Sequence, residues 1–261
     1  MTDFFELSRD TRGVATLRIA NTAKANALGS DLMDALIAEL HRLDADGELR
    51  VLILASVGDR AFVAGADLNE MAHFDPPQAE NFIRLLARLC DTIRALPVPV
   101  IARVQGWCLG GGLELAASCD IRVASRNARF AMPEVRMGIP SVIHAALLPR
   151  TIGRGRAAWL MLTADAIDAQ QASDWGLIDR IADAAQLDDV IEEIVGKLLA
   201  SERQVLAAQK ALLTAWDEVS LSDGIELSVA AFRASFETGE PRRLMSEHIA
   251  HRKSRPHPAA G

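Results

Sequence analysis

Two glutamates and a run of glycines carry most of the chemistry available to this chain. Gly110-Gly111-Gly112-Leu113-Glu114 leads into an apolar stretch, and Met132-Pro133-Glu134 places a second carboxylate twenty residues after the first. Glycines at the start of a helix leave N–H groups unpaired beside a partial positive charge, which suits an oxyanion developing on a carbonyl. Two carboxylates at one site can divide the labour: an ionised one activates water, a protonated one delivers a proton. Residues 113–119 read Leu-Glu-Leu-Ala-Ala-Ser-Cys, so Glu114 should be buried, and a buried carboxylate needs a reason.

A second candidate donor lies upstream, in Ala61-Phe62-Val63-Ala64-Gly65-Ala66-Asp67-Leu68. The small residues Ala64, Gly65 and Ala66 let a ligand approach the backbone, and a turn there can present a free N–H. Taken alone, the glycine triplet also fits a phosphate cradle or a tight strand-to-helix turn. It lacks the Lys-Ser/Thr of a P-loop and the spaced glycines of a dinucleotide fingerprint. Trp107 and Cys108, beside the glycines, read as a packing indole and a buried thiol. Asp120 reads as an anchor for the strand after it, and Asp67 as a brace for the first oxyanion loop.

Strands and helices alternate through the first part of the chain. Val14 to Ile19 reads as a strand, Ser30 as the cap of a helix carrying Leu32, Met33, Leu36, Ile37 and Leu40, and Val51 to Ala55 as a buried strand. A helix from about Gln78 ends at Pro97 and Pro99, before strands at Val100 to Val104 and Ile121 to Ala124. This spacing predicts βα crossovers and a largely parallel, covered sheet, an α/β fold. After about Asp183 only helices are expected. Leu187, Val190, Ile191, Ile194, Val195, Leu198 and Leu199 fall at offsets 0, 3, 4, 7, 8, 11 and 12, a wide apolar face. Further apolar faces around Trp216 and Phe232 need a partner surface, so a homo-oligomer is expected.

Composition narrows the function classes. Half of the 261 residues are apolar, enough for a sizeable core without disulfides or metal. Arg103 and Glu114 interrupt the most apolar stretch, so no segment reaches the roughly 18 uncharged residues of a membrane helix. The first residues lack a basic region followed by an apolar run, so no signal peptide is expected and the cytoplasm is the expected location. Cys90, Cys108 and Cys119 form no CxxC pair, and the six histidines form no HExxH pair, so neither a disulfide framework nor a metal is expected. A net charge of −7 without a basic run argues against nucleic acid.

The combination of Ala61 to Leu68, Pro99-Val100-Ile101-Ala102 leading to Gly106, Gly110 to Glu114, Cys119-Asp120-Ile121-Arg122 and Pro133-Glu134 resembles the enoyl-CoA hydratase/isomerase (crotonase) superfamily over almost the whole chain. The resemblance implies a crotonase-like spiral of ββα units at 1–195, holding the active site. It implies a C-terminal helical oligomerisation region at 196–261, giving a trimer or a dimer of trimers. It implies an acyl-CoA thioester substrate, a place in fatty acid metabolism, and no cofactor beyond the coenzyme A of the substrate. The thioester oxygen would sit between the N–H groups of Ala66 and Gly111, an arrangement worth roughly 3 kcal/mol to an oxyanion-like transition state.

Hydratases are the nearest match, because both glutamates are present. In that reading the enzyme is a lyase that reversibly adds water to a trans-2-enoyl-CoA. Glu114 activates the water that adds to Cβ, and Glu134 exchanges the proton at Cα. Substrate contacts are expected from Lys24, with a coenzyme A phosphate, and from Ala64, Gly65, Asp67, Leu68, Gly110, Ser141 and Val142. The alternatives are a Δ3,Δ2-enoyl-CoA isomerase and a non-catalytic acyl-CoA-binding scaffold. Hydratases often run Gly-x-x-Pro-Gly-Ala-Gly-Gly after the second glutamate. This chain reads Gly138-Ile139-Pro140-Ser141-Val142-Ile143-His144, one residue shorter and without those glycines, which should reshape the acyl pocket.

Overall fold

The computed structural model describes residues 4–254, with 251–254 described by backbone alone. The chain divides into two compact units, 1–206 and 207–261.

The first unit is built on two sheets. Six strands, β1 (Phe5–Arg9), β2 (Val14–Ile19), β3 (Val51–Ser56), β5 (Val100–Val104), β7 (Ile121–Ser125) and β10 (Arg180–Ala182), lie side by side in that order. Only the β1–β2 pair is antiparallel. Four short strands, β4 (Ala61–Val63), β6 (Trp107–Leu109), β8 (Arg129–Ala131) and β9 (Ile167–Asp168), form the second sheet, with β4, β6 and β8 parallel. Three times in succession the chain runs along a long strand of the first sheet and then a short strand of the second: β3 to β4, β5 to β6, β7 to β8. A helix or 3-10 turn follows each pair. This repeated ββα step is the spiral expected from the sequence.

Side-chain alternation separates two cores. Ala15, Leu17, Leu52, Leu54, Val100 and Ala102 join the main core, while Val14, Val51, Ile101 and Val123 point to the other face. There they meet Leu187, Ile191 and Val195 of the helix Leu187–Leu199, which uses the apolar stripe its spacing announced. Residue 195, where the sequence suggested a boundary, lies within this helix of the first unit.

Local capping differs from expectation in places. Ser30 is the first residue of α1 (Ser30–Ala45); Gly29 occupies the cap position, and the Ser30 hydroxyl donates to Glu70. Following α2 (Leu68–Met71), α3 (Pro76–Ala95) starts earlier than Gln78, because Asp75 caps it in a reciprocal box with Gln78 and proline fits its first turn. Asp120 anchors the strand before it, accepting from Val100 N at 2.7 Å. Trp107 is 43% exposed, since its β6 position faces out.

The second unit holds most of the helix Arg203–Trp216 and the helices Leu221–Ser235 and Glu240–Ser254. Within it the Trp216 indole N–H donates to Gly224 O at 3.2 Å, and the ring lies where a Gly224 side chain would be. No helix among the described residues is long and apolar enough to cross a membrane.

Candidate active site

The turns that leave β4, β6 and β8 supply the predicted site. β4 runs into Ala64-Gly65-Ala66, β6 into Gly110 and α4 (Gly111–Ala117), and β8 into Met132-Pro133-Glu134. Because the three short strands are parallel neighbours, their following turns converge. Ala64, Gly65, Ala66, Gly110, Gly111, Glu114 and Glu134 all line one cavity of about 330 Å³.

The Ala66 turn is held against residues 25–28. Ala64 N–H donates to Ala25 O at 3.2 Å, Leu28 N–H to Gly65 O at 2.8 Å, and Asp67 N–H to Leu28 O at 2.8 Å. Asn26 sets this loop. It is buried at φ +58, accepts from Asn21 N, and donates to Ala61 O at 2.9 Å and Val57 O at 3.1 Å. Asparagine suits this position, because its side chain satisfies buried carbonyls and it tolerates the left-handed region. Sequence reasoning did not single it out, although a polar residue just before the apolar Ala27-Leu28 was a signal. Asp67 then caps α2, accepting from Asn69 N at 3.0 Å, and so braces the loop as expected.

The glycine triplet is required sterically. Gly110 has φ +49, and a side chain on it would collide with Oε1 of Glu134. A side chain on Gly112 would strike the Val63 carbonyl. Glycine therefore lets β4, β6 and the second glutamate approach one another. A Cβ on Gly111 would lie 4.0 Å from Ala66 N, so the two turns are neighbours. Neither the Ala66 nor the Gly111 N–H donates to a protein acceptor among the described residues.

The two carboxylates differ in setting. Glu114, on the first turn of α4, is 3% exposed, and its Oε1 accepts from Ala145 N at 3.0 Å. Burial pushes its pKa up to about 8; the Ala145 bond opposes the shift and the charge of Glu134 adds to it. Glu134 opens the 3-10 turn Glu134–Met137 and accepts from the Ser141 hydroxyl at 2.9 Å through Oε2. The Ala145 N–H comes from the 3-10 turn Ile143–Leu147, whose first residue sits at φ +42, a costly conformation for a β-branched side chain.

The remaining candidates fall in and out of the cavity. Leu68 and Val142 line it; Ser141 touches it only through Glu134. Lys24 lies in a neighbouring surface cavity, its ammonium 2.5 Å from Oδ2 of Asp67. His144 packs away from the cavity, with Nε2 3.1 Å from Asp91 and its pKa lowered by burial. Cys90, Cys108 and Cys119 are buried thiols not joined in a disulfide, and burial pushes the Cys108 thiol up, so it is no nucleophile. No cluster of three or more His, Cys, Asp or Glu suited to a metal occurs among the described residues.

A spiral of ββα units whose short strands deliver two unengaged N–H groups and two glutamates to one cavity defines a protein of the crotonase fold. The family described as enoyl-CoA hydratase/isomerase matches residues 9–255. The short-chain-enoyl-CoA hydratase of Clostridium acetobutylicum is 33% identical over 241 residues, 92% of each chain. The crotonyl-CoA hydratase of Syntrophomonas wolfei is 32% identical over 242 residues, 92% of this chain and 93% of that one. The crystal structure of an enoyl-CoA hydratase from Mycobacterium smegmatis matches with a TM-score of 0.90 and 32% identity, covering 97% of this chain and 98% of that one. The chain belongs to the enoyl-CoA hydratase/isomerase family.

Proposed function

We propose that this protein reversibly hydrates a trans-2-enoyl-CoA to a 3-hydroxyacyl-CoA. The observation that carries the reading is the convergence, on one cavity, of two N–H groups without protein acceptors and two carboxylates of different setting. The thioester oxygen lies between Ala66 N and Gly111 N, where fixed dipoles stabilise the charge that builds as water attacks Cβ. Glu114 accepts the proton of that water. A buried carboxylate with a pKa of about 8 is a stronger base than an ordinary one, and its bond to Ala145 N fixes one oxygen. Glu134, steered by Ser141 and by the absence of a side chain on Gly110, exchanges the proton at Cα, and passage of the water's proton from Glu114 to Glu134 restores both carboxylates after each turnover. Coenzyme A enters as part of the substrate, and no further cofactor takes part.

We also infer a homo-oligomer, a trimer or a dimer of trimers, working in the cytoplasm. Leu221, Ile225, Val229 and Phe232 leave apolar surface exposed on one helix of the second unit, surface that further copies would cover.

The test is direct. Crotonyl-CoA mixed with the protein should lose its conjugated thioester absorbance and gain one water by mass, and Glu134→Gln should abolish this. No water gained by any enoyl-CoA would sink the reading. Isomerase turnover retained in Glu114→Gln and lost in Glu134→Gln would replace it with double-bond migration.

A further inference from the structure

Apart from the two glutamates, the side chains that line the cavity are apolar. They include Met71 of α2, Phe82 and Leu86 of α3, and Met137, Ile139 and Val142 of the shortened segment after Glu134. Among the described residues, the only lining side chains with hydrogen-bonding or charged groups are Glu114 and Glu134. Four cations carried by neighbouring elements are engaged elsewhere. Arg84 and Arg88, on the helix that supplies Phe82 and Leu86, pair with Glu80 and Asp34. Arg136 bonds to Thr163 O and Asp165, and Lys24 bonds to Asp67 in the neighbouring cavity.

We infer that the acyl pocket takes an uncharged aliphatic chain longer than crotonyl and rejects acyl groups that end in a carboxylate. The inference rests on the hydration reading given above and specifies its substrate class. An acyl carboxylate would leave water for an apolar wall with no cation to receive it, beside two glutamates. A longer hydrocarbon chain meets only favourable surface. Leu68 at 54% exposure, Met137 at 55% and Val142 at 39% continue the apolar lining to the protein surface. Met71 and Met137 add unbranched, polarizable side chains that adapt to chains of different shape.

The experiment compares kcat/KM of the full chain for crotonyl-CoA, trans-2-hexenoyl-CoA, trans-2-octenoyl-CoA and glutaconyl-CoA. Hexenoyl-CoA should exceed crotonyl-CoA by up to about four-fold for each added methylene that is buried, the equivalent of ~0.8 kcal/mol. Glutaconyl-CoA should fall at least about ten-fold below hexenoyl-CoA. If crotonyl-CoA is best, or glutaconyl-CoA matches hexenoyl-CoA, the inference fails while hydration stands. If none of the four is hydrated, the hydration reading fails and takes the inference with it. Met137→Lys is the second variant, at an exposed position that tolerates a charge. It should raise glutaconyl-CoA relative to hexenoyl-CoA by about ten-fold through the new ion pair. No relative gain would overturn the claim that a missing cation excludes the carboxylate.

Discussion

Ala145 donates its backbone N–H to Oε1 of Glu114 at 3.0 Å, sharing that donor with the carbonyl of Val142. One half-shared bond is little compensation for a carboxylate that is 3% exposed, so the proton remains on Glu114 well above the ordinary range.

That proton makes stability depend on pH. The folded protein holds it up to about pH 8, whereas the unfolded chain releases it near 4.5. The folded state therefore binds more protons between those values. The stability associated with Glu114 is fully present below about 4.5 and is lost as pH rises through about 8, with a slope of at most ~1.4 kcal/mol per pH unit. Glu114→Gln removes this term. Its Tm advantage over the parent should widen from pH 5 to pH 8, and a constant difference would contradict the assignment.

The same shift governs turnover. If Glu114 accepts the water proton, only about one molecule in ten carries the reactive form at neutral pH. The kcat/KM for hydration should climb through pH 6 to 8 as Glu114 ionises. A profile flat over this range would show that another group is the base.

Gly110→Ala tests the placement of Glu134. Its Cβ would collide with Oε1 of that glutamate, at a backbone conformation of φ +49 that disfavours alanine. The carboxylate must swing away, and kcat should fall at least about 100-fold, the usual contribution of a positioned acid or base. Circular dichroism should show the fold retained. Near-parental activity would mean that the Gly110 contact does not set the acid's position.

Asn26→Ala tests the support of the Ala66 turn. The change leaves the Val57 carbonyl short of a donor and puts alanine at φ +58. It should cost about 2–3 kcal/mol in urea unfolding. Hydration should also slow, through a lower kcat, because the turn that presents Ala66 N is no longer held. Equal stability with unchanged kcat would remove Asn26 from the site's support.

Long elements were legible in the sequence because periodicity accumulates over many residues. Val14–Ile19, Val100–Val104 and the stripe from Leu187 to Leu199 lie where their patterns put them. The strands β4, β6 and β8 were not legible. Three residues carry no measurable alternation, and their pairing is between segments more than twenty positions apart. Yet these strands bring the three turns of the site together. Lys24, where the family resemblance suggested a phosphate contact, sits with its ammonium 2.5 Å from Oδ2 of Asp67, a neighbour 43 residues away that no local pattern announced.

The sequence by itself determined which groups were available: a glycine triplet ahead of an apolar stretch, one glutamate on that stretch and a second after a proline, and a segment after Glu134 that trades glycine for larger side chains. Those are properties of residue type and local spacing. Tertiary structure alone decided that Ala66 N and Gly111 N are neighbours and that burial lifts the pKa of Glu114. It also decided that, among the described residues, no cation lines the cavity wall. Each of these depends on burial and on neighbours distant in sequence, because desolvation and close packing arise only when separate segments exclude water together.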